Sequence, residues 1–217
     1  MSDYTIRFSQ KEAGFVVDTT EHVLRSPMDP STKELIKLFK KDLVVEMEDG
    51  EVILGDTGAK QMSKVHQMCS GTVKFESGKA VVLDTNKAEF IKQHFDGKKI
   101  GIFYKFKAEL EALKTVFGDR LVTELDDFND TDKNIALQIV SGREGISLRQ
   151  ADALVYYNID FSATSYWQSR DRMTTKERLK NDIYWIFSEG GIELQVYGTV
   201  RKKKDFTLKH YRKDLLS

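Results

Sequence analysis

Two stretches of this sequence have residue types suited to chemistry. One is an apolar run ending in Ser141-Gly142-Arg143-Glu144-Gly145. The other is a helical stretch carrying Gln168-Ser169-Arg170-Asp171-Arg172. Both suit the handling of phosphate. A polar, glycine-containing loop after a strand brings backbone N–H groups close to an anion, and an arginine on a following helix adds two aligned guanidinium donors. Ser141 and Ser147 each either donate to a phosphate oxygen or cap the following Leu148-Arg149-Gln150. Gly145 allows a turn with positive φ or a close backbone approach, with or without nucleotide. Arg172 either neutralises charge on a phosphoryl group or pairs on the surface with Asp171 or Glu177. Arg170 lies two residues away, points elsewhere on the helix and reads as structural.

Other chemistries find less support. His22, His66, His94 and His210 are scattered without metal-ligand spacing, so no metal is assigned. The single Cys69 permits no internal disulfide, fits a reducing cytoplasm and reads as a small core residue. Lys+Arg and Asp+Glu balance at 34 each, so a nucleic-acid role needs a local patch rather than net charge. The basic tail Arg201–Lys204, with Lys209, Arg212 and Lys213, offers one, although a solvated helical face explains such a run equally well. Tyr166, Trp167, Tyr184 and Trp185 invite base stacking, but their places on a helix and a buried strand favour core packing. No apolar run is long enough to span a bilayer and the N-terminus has no signal-peptide core, which points to a cytoplasmic protein without a membrane role.

The elements that must position these residues follow from pattern. Up to residue 84 the signals are hairpins and helices. Tyr4–Phe8 and Phe15–Val17 are β-prone. Asp29 with Pro30 starts a helix through Leu35, Ile36, Leu38 and Phe39. Asp49-Gly50 lies between two β-prone runs as a hairpin signal, Ala59–Cys69 is helical, and Ser77-Gly78 suggests a second hairpin. From Thr85 helix and strand alternate: helix 86–94, strand 100–104, helix 107–117 closed by Gly118, strand 121–124, an acidic loop 126–133, and strand 136–140. The glycine loop follows, then strand 153–157, helix 162–174, strand 183–187, helix 192–200 and a basic helical tail from about Asp205. Such alternation predicts a parallel sheet covered by helices.

The ordered combination of Ser141–Asp152 and Tyr166–Arg172 resembles motifs V and VI of superfamily-2 helicases, most closely the Swi/Snf-type translocases. Lys87–His94 followed by Lys99–Phe106 is similar to their motif IV helix and strand. The Met28-Asp29-Pro30 and Gln67-Met68-Cys69 helices resemble the lead-in to the second lobe. Tyr184–Glu193 is similar to the closing strand and helix of compact phage-encoded forms, from which a phage origin is a guess. The resemblance implies an α/β, RecA-like parallel sheet with helices on both faces over 85–217, and an N-terminal appendage of hairpins and helices over 1–84. It implies Arg172 as an arginine finger. Gly145, Ser147 and Gln168 would lie at the nucleotide, with Gln168 linking nucleotide state to the nucleic-acid side. Lys105, Lys107 and Ser141 would meet nucleic acid. Two positions depart from the family: Thr175 stands where a second arginine is usual, with Lys176 or Arg178 as stand-ins, and Arg143-Glu144 replaces a small-residue pair before Gly145.

No Gly-x-x-x-x-Gly-Lys-(Ser/Thr) loop occurs, and Glu124-Leu125-Asp126-Asp127 is not placed as a magnesium-binding box. The resemblance therefore implies half of an ATP-hydrolysing motor, inactive alone: a fragment, a separate domain or one half of a split motor. ATP, with its Mg²⁺ held by a first lobe in cis or on another chain, would lie between lobes. DNA, or RNA, would be the track. The competing readings are a non-catalytic nucleic-acid- or protein-binding module built on a degenerate lobe, and an unrelated α/β binding domain.

Overall fold

The computed structural model describes residues 18–139, 148–171 and 180–213. In chain order the elements are β1 (Asp18–Ser26), α1 (Pro30–Asp42), the hairpin β2 (Val44–Glu46) and β3 (Val52–Leu54), α2 (Gly58–Cys69), and the hairpin β4 (Thr72–Lys74) and β5 (Ala80–Val82). Next come α3 (Asn86–His94), β6 (Ile100–Tyr104), α4 (Lys107–Phe117), a 3₁₀ turn (Gly118–Arg120), β7 (Leu121–Val122) and α5 (Leu125–Asp130). The chain continues through β8 (Asn134–Gln138), β9 (Ala153–Tyr156), α6 (Ala163–Asp171), β10 (Lys180–Ser188), α7 (Glu193–Val200) and α8 (Leu208–Lys213).

Six strands form one sheet in the order β1-β10-β9-β6-β8-β7, and every pairing in it is parallel. A parallel sheet is covered on both faces, so the central strands β6 and β9 carry no charged residue and are buried along their length. Strand periodicity divides them cleanly. Ile100, Ile102, Tyr104, Ala136, Ala153, Val155, Tyr157 and Ile186 meet Ala88, Ile91 and Phe95 of the α3 segment and Leu113 and Phe117 of α4. Phe103, Ile135, Leu137, Leu154, Tyr156, Ile183, Trp185 and Phe187 meet α1, α2 and α7 on the other face. This is a RecA-like α/β fold with helices on both faces.

The helix and turn signals have local causes. Asp29 accepts from the amides of Ser31 at 2.9 Å and Thr32 at 3.4 Å, with Pro30 in the first turn of α1. Gly50 and Gly78 turn the two hairpins with φ of 80° and 92°.

Three expectations change. β1 was not foreseen: residues 18–26 run parallel to residues 180–188 as an edge strand, so the sheet draws a strand from the segment expected only as an appendage. The acidic 126–133 segment, expected as a loop, is helical up to Asp130 as part of α5, because buried Phe128 anchors it and Asp126 and Asp127 sit at its N-terminal end, where the helix dipole favours negative charge. The strand expected at 183–187 is longer, pairing with both β1 and β9. The expected strands at 4–8 and 15–17 lie outside the described residues. No described helix is long and apolar enough to cross a membrane.

Candidate functional site

Parallel strands discharge their loops at one edge of the sheet, and ligands of open α/β sheets sit there, where strand order reverses. Here the reversal is at β6. The chain leaves β6 for β7 and β8 on one side, then crosses to β9 and β10 on the other. The turns after β6 and β9, and the exit of β8 at Gln138 and Ile139, therefore lie at one end of the sheet.

Lys105 follows β6 directly. Its Nζ lies 3.0 Å from Asp160 Oδ2, 4.9 Å from the Phe161 ring centre and 5.6 Å from that of Phe106. Its carbonyl accepts from Gln138 Nε2 at 3.1 Å, and Ile139 N donates to the Tyr104 carbonyl at 2.7 Å, which ties the exit of β8 to the exit of β6. Lys107 opens α4. It is exposed and has no ion-pair partner among the described residues.

Beneath this turn lies a buried polar layer. Glu109, in the first turn of α4, accepts the amides of Lys105 at 2.7 Å and Phe106 at 2.9 Å through Oε2, and the Asn158 amide at 2.5 Å through Oε1. Burial pushes its carboxyl above the ordinary value, while the Asn158 and backbone hydrogen bonds pull it back. His66 stacks on Phe161 with ring centres 4.5 Å apart and meets Phe106 edge-on at 5.5 Å. Burial, followed by the positive charges of Lys105 and Lys87, holds its pKa well below the ordinary histidine value; Asn158 acts in the opposite sense. His66 is thus biased toward its neutral form in the floor of the site.

A second buried set closes the edge beside β9 and β10. Lys87 Nζ pairs with Glu193 Oε1 at 2.9 Å and donates to the Tyr157 carbonyl at 3.3 Å. The last carbonyls of a helix lack intrahelical partners. At the end of α2, Cys69 O accepts from Ser188 Oγ at 2.5 Å and Ser70 O from Tyr157 OH at 3.2 Å. These bonds hold the residues before 84 to the same edge that carries Lys105.

The structure brings Lys105 and Lys107 together on one turn. Gln168 is exposed on α6, whose first turn follows Asp160. Ser141, Gly145, Ser147, Arg172 and Arg178 lie outside the described residues, as does Thr175. Of the groups expected at nucleotide, the described residues therefore offer Gln168 alone. Trp185 and Tyr166 are core residues: Trp185 stacks on Tyr156 at 4.0 Å, and Tyr166 donates to Glu21 at 2.8 Å. Trp167 Nε1 donates to the Val200 carbonyl at 3.2 Å. Asp152 is structural, accepting the Lys99 amide at 2.8 Å at the opposite end of the sheet. Residues 201–205 of the basic tail are exposed.

Sequence reasoning missed Asp160, Glu109, Asn158 and His66. Glu109 alone had a local signal, as an acid at the third position of a helix, where a side chain reaches back to free amides.

The Sulfolobus solfataricus SWI2/SNF2 ATPase core domain matches at 16% identity and TM-score 0.57, over 90% of this chain and 45% of that one. The same core in complex with dsDNA matches at 16% and 0.57, over 90% of this chain and 46% of that one. The C-terminal part of the Fun30 ATPase domain matches at 12% and 0.64, over 90% of this chain and 92% of that one. This chain has the fold of a Swi2/Snf2 C-terminal lobe. It spans less than half of the Sulfolobus core and nearly all of the Fun30 C-terminal part. No family model matches the sequence, and no curated protein matches it.

Proposed function

We propose that this chain is the second motor lobe of an ATP-dependent superfamily-2 helicase or DNA translocase. The carrying observation is the C-terminal-lobe fold, which accounts for 90% of this chain and 92% of the Fun30 C-terminal part. In this reading Lys105 and Lys107, at the exit of the central strand β6, and Gln168, exposed on α6, are the described residues that would take part. DNA is the track this reading favours, since the Sulfolobus core was solved with dsDNA.

ATP would be the fuel, with Mg²⁺ held by a first lobe. The sequence carries no Walker A loop, whose backbone amides and lysine supply most phosphate binding in such motors. In this reading the lobe contributes Arg172, with Arg178 in place of the arginine absent at Thr175, to charge on the transferred phosphoryl group. Gly145, Ser147 and Gln168 face the nucleotide. Lys105, Lys107 and Ser141 touch DNA backbone phosphates, which position the protein without reading sequence.

Titration of labelled single and double strands at two salt concentrations, with ATP turnover followed in parallel, tests the proposal. It expects binding that weakens steeply with salt, little sequence preference, and no turnover by the chain alone. Salt-independent binding, or none at low salt, contradicts it. In a two-lobe protein containing this chain, Arg172→Ala should lower kcat strongly with little effect on DNA binding, because a finger acts on charge present in the transition state. Full turnover by that variant would favour the second reading, a degenerate lobe that binds without hydrolysis. The loss of arginine at Thr175 is the feature that supports this alternative.

A further inference from the structure

Of the two lysines at the exit of β6, one is already occupied. Lys105 Nζ is 3.0 Å from Asp160 Oδ2, and both side chains remain partly open to solvent, at 20% and 29% exposure. Asp160 is held in place from the other side, since its Oδ1 accepts the Ser162 amide at 2.9 Å. That bond fixes the carboxylate just ahead of α6. The Phe161 ring lies against the same ammonium at 4.9 Å. Lys105 therefore has a defined position with its charge already matched, whereas Lys107, two residues on, has no ion-pair partner among the described residues.

We infer that Asp160 is an affinity-setting residue for the nucleic-acid surface: its carboxylate competes with a DNA backbone phosphate for Lys105. This rests on the motor-lobe reading, in which Lys105 meets the track. A phosphate approaching Lys105 must displace Asp160 or share the ammonium with it, and it meets a negative charge while doing so. Either way Asp160 weakens the grip of the lobe on DNA, which suits a motor that must release its track in each cycle. Asp160 also lies three residues before α6, the helix that carries Gln168. The carboxylate that restrains the DNA-side lysine therefore belongs to the segment leading toward the expected nucleotide residues.

The test uses the whole 217-residue chain and a fluorescently labelled DNA duplex, followed by anisotropy at about 50 mM and about 200 mM salt. Asp160→Asn keeps an oxygen to accept the Ser162 amide and removes the charge. It should tighten binding about three- to tenfold at the lower salt, in line with releasing a partly exposed ion pair and removing a repulsive charge. The gain should shrink at the higher salt. Lys105→Ala should weaken binding, and on that background D160N should bring little or no gain, since the two effects are coupled through one contact. Asp160→Ser, which can also accept an amide, serves as a second charge-free variant, with thermal unfolding as the control for folding. Wild-type binding that is salt-dependent while D160N and D160S show no gain overturns the inference and leaves the motor-lobe reading intact. A gain that persists undiminished in D160N/K105A also overturns it, because Lys105 would then not be the group released. No binding by the wild type or either charge-free variant at low salt overturns both.

Discussion

Glu109 and Asn158 share a buried hydrogen bond of 2.5 Å that joins the turn after β6 to the turn after β9. The other oxygen of Glu109 holds the amides of Lys105 and Phe106. One carboxylate thus shapes the turn that presents both lysines. Glu109→Ala should leave these donors without their acceptor and cost about 3 kcal/mol of stability by urea unfolding. A variant as stable as the wild type would mean that the turn shapes itself.

The same residue predicts a pH dependence. Burial is the largest influence on Glu109 and raises its pKa above the ordinary 4.5. The folded chain then keeps a proton on this carboxyl where the unfolded chain has released it. The stability contributed is fully present below the unfolded value and is lost as pH rises through the folded one. The difference in unfolding free energy between wild type and Glu109→Gln should therefore fall as pH increases from the ordinary carboxylate range toward neutrality. A difference that rises over this window would reverse the assigned shift.

Lys87 and Glu193 form the most enclosed ion pair among the described residues, at 3% and 0% side-chain exposure. Removing one partner strands a buried charge. Lys87→Met should cost about 3–5 kcal/mol, and the double change with Glu193→Gln should recover a good part of it. Additive losses in the double variant would show that the pair contributes only through packing.

Cys69 lies at the end of α2 with its thiol pushed up to about 12, chiefly by burial and then by the Glu193 charge. The thiolate is the reactive form. Iodoacetamide at neutral pH should label the native chain far more slowly than the urea-unfolded chain. Equal rates would place Cys69 at an accessible surface.

Much of this architecture was legible where its cause is local. The bounds of α3 and α4 follow from their apolar spacing, and the hairpins at Gly50 and Gly78 follow from backbone geometry that glycine favours. β1 was hidden because Asp18–Ser26 carries only Val23 and Leu24 as apolar residues; it is a strand through its pairing with β10, more than 150 residues away. Contacts reinforce that pairing: His22 stacks on Tyr184 at 4.5 Å and bonds Asp182 at 2.9 Å, while Glu21 accepts from Tyr166, Trp185 and Tyr197. The site divides in the same way. Lys105 and Lys107 stand out as basic residues directly after a buried strand. Asp160 and Asn158 gain their roles only when β9 is placed beside β6, a relation that no spacing in the sequence records.

The proposed DNA contact lies at the end of the sheet where β6, β8 and β9 finish. Amide chemical-shift mapping on the isotope-labelled chain, titrated with a short duplex at low salt, tests it most directly. The largest shifts should fall at Lys105–Lys107, Gln138–Ile139 and Asn158–Ser162, and they should collapse when salt is raised. Shifts concentrated instead at the opposite edge, around Lys99 and Asp152, or on the α1 and β2–β3 surface, would contradict it.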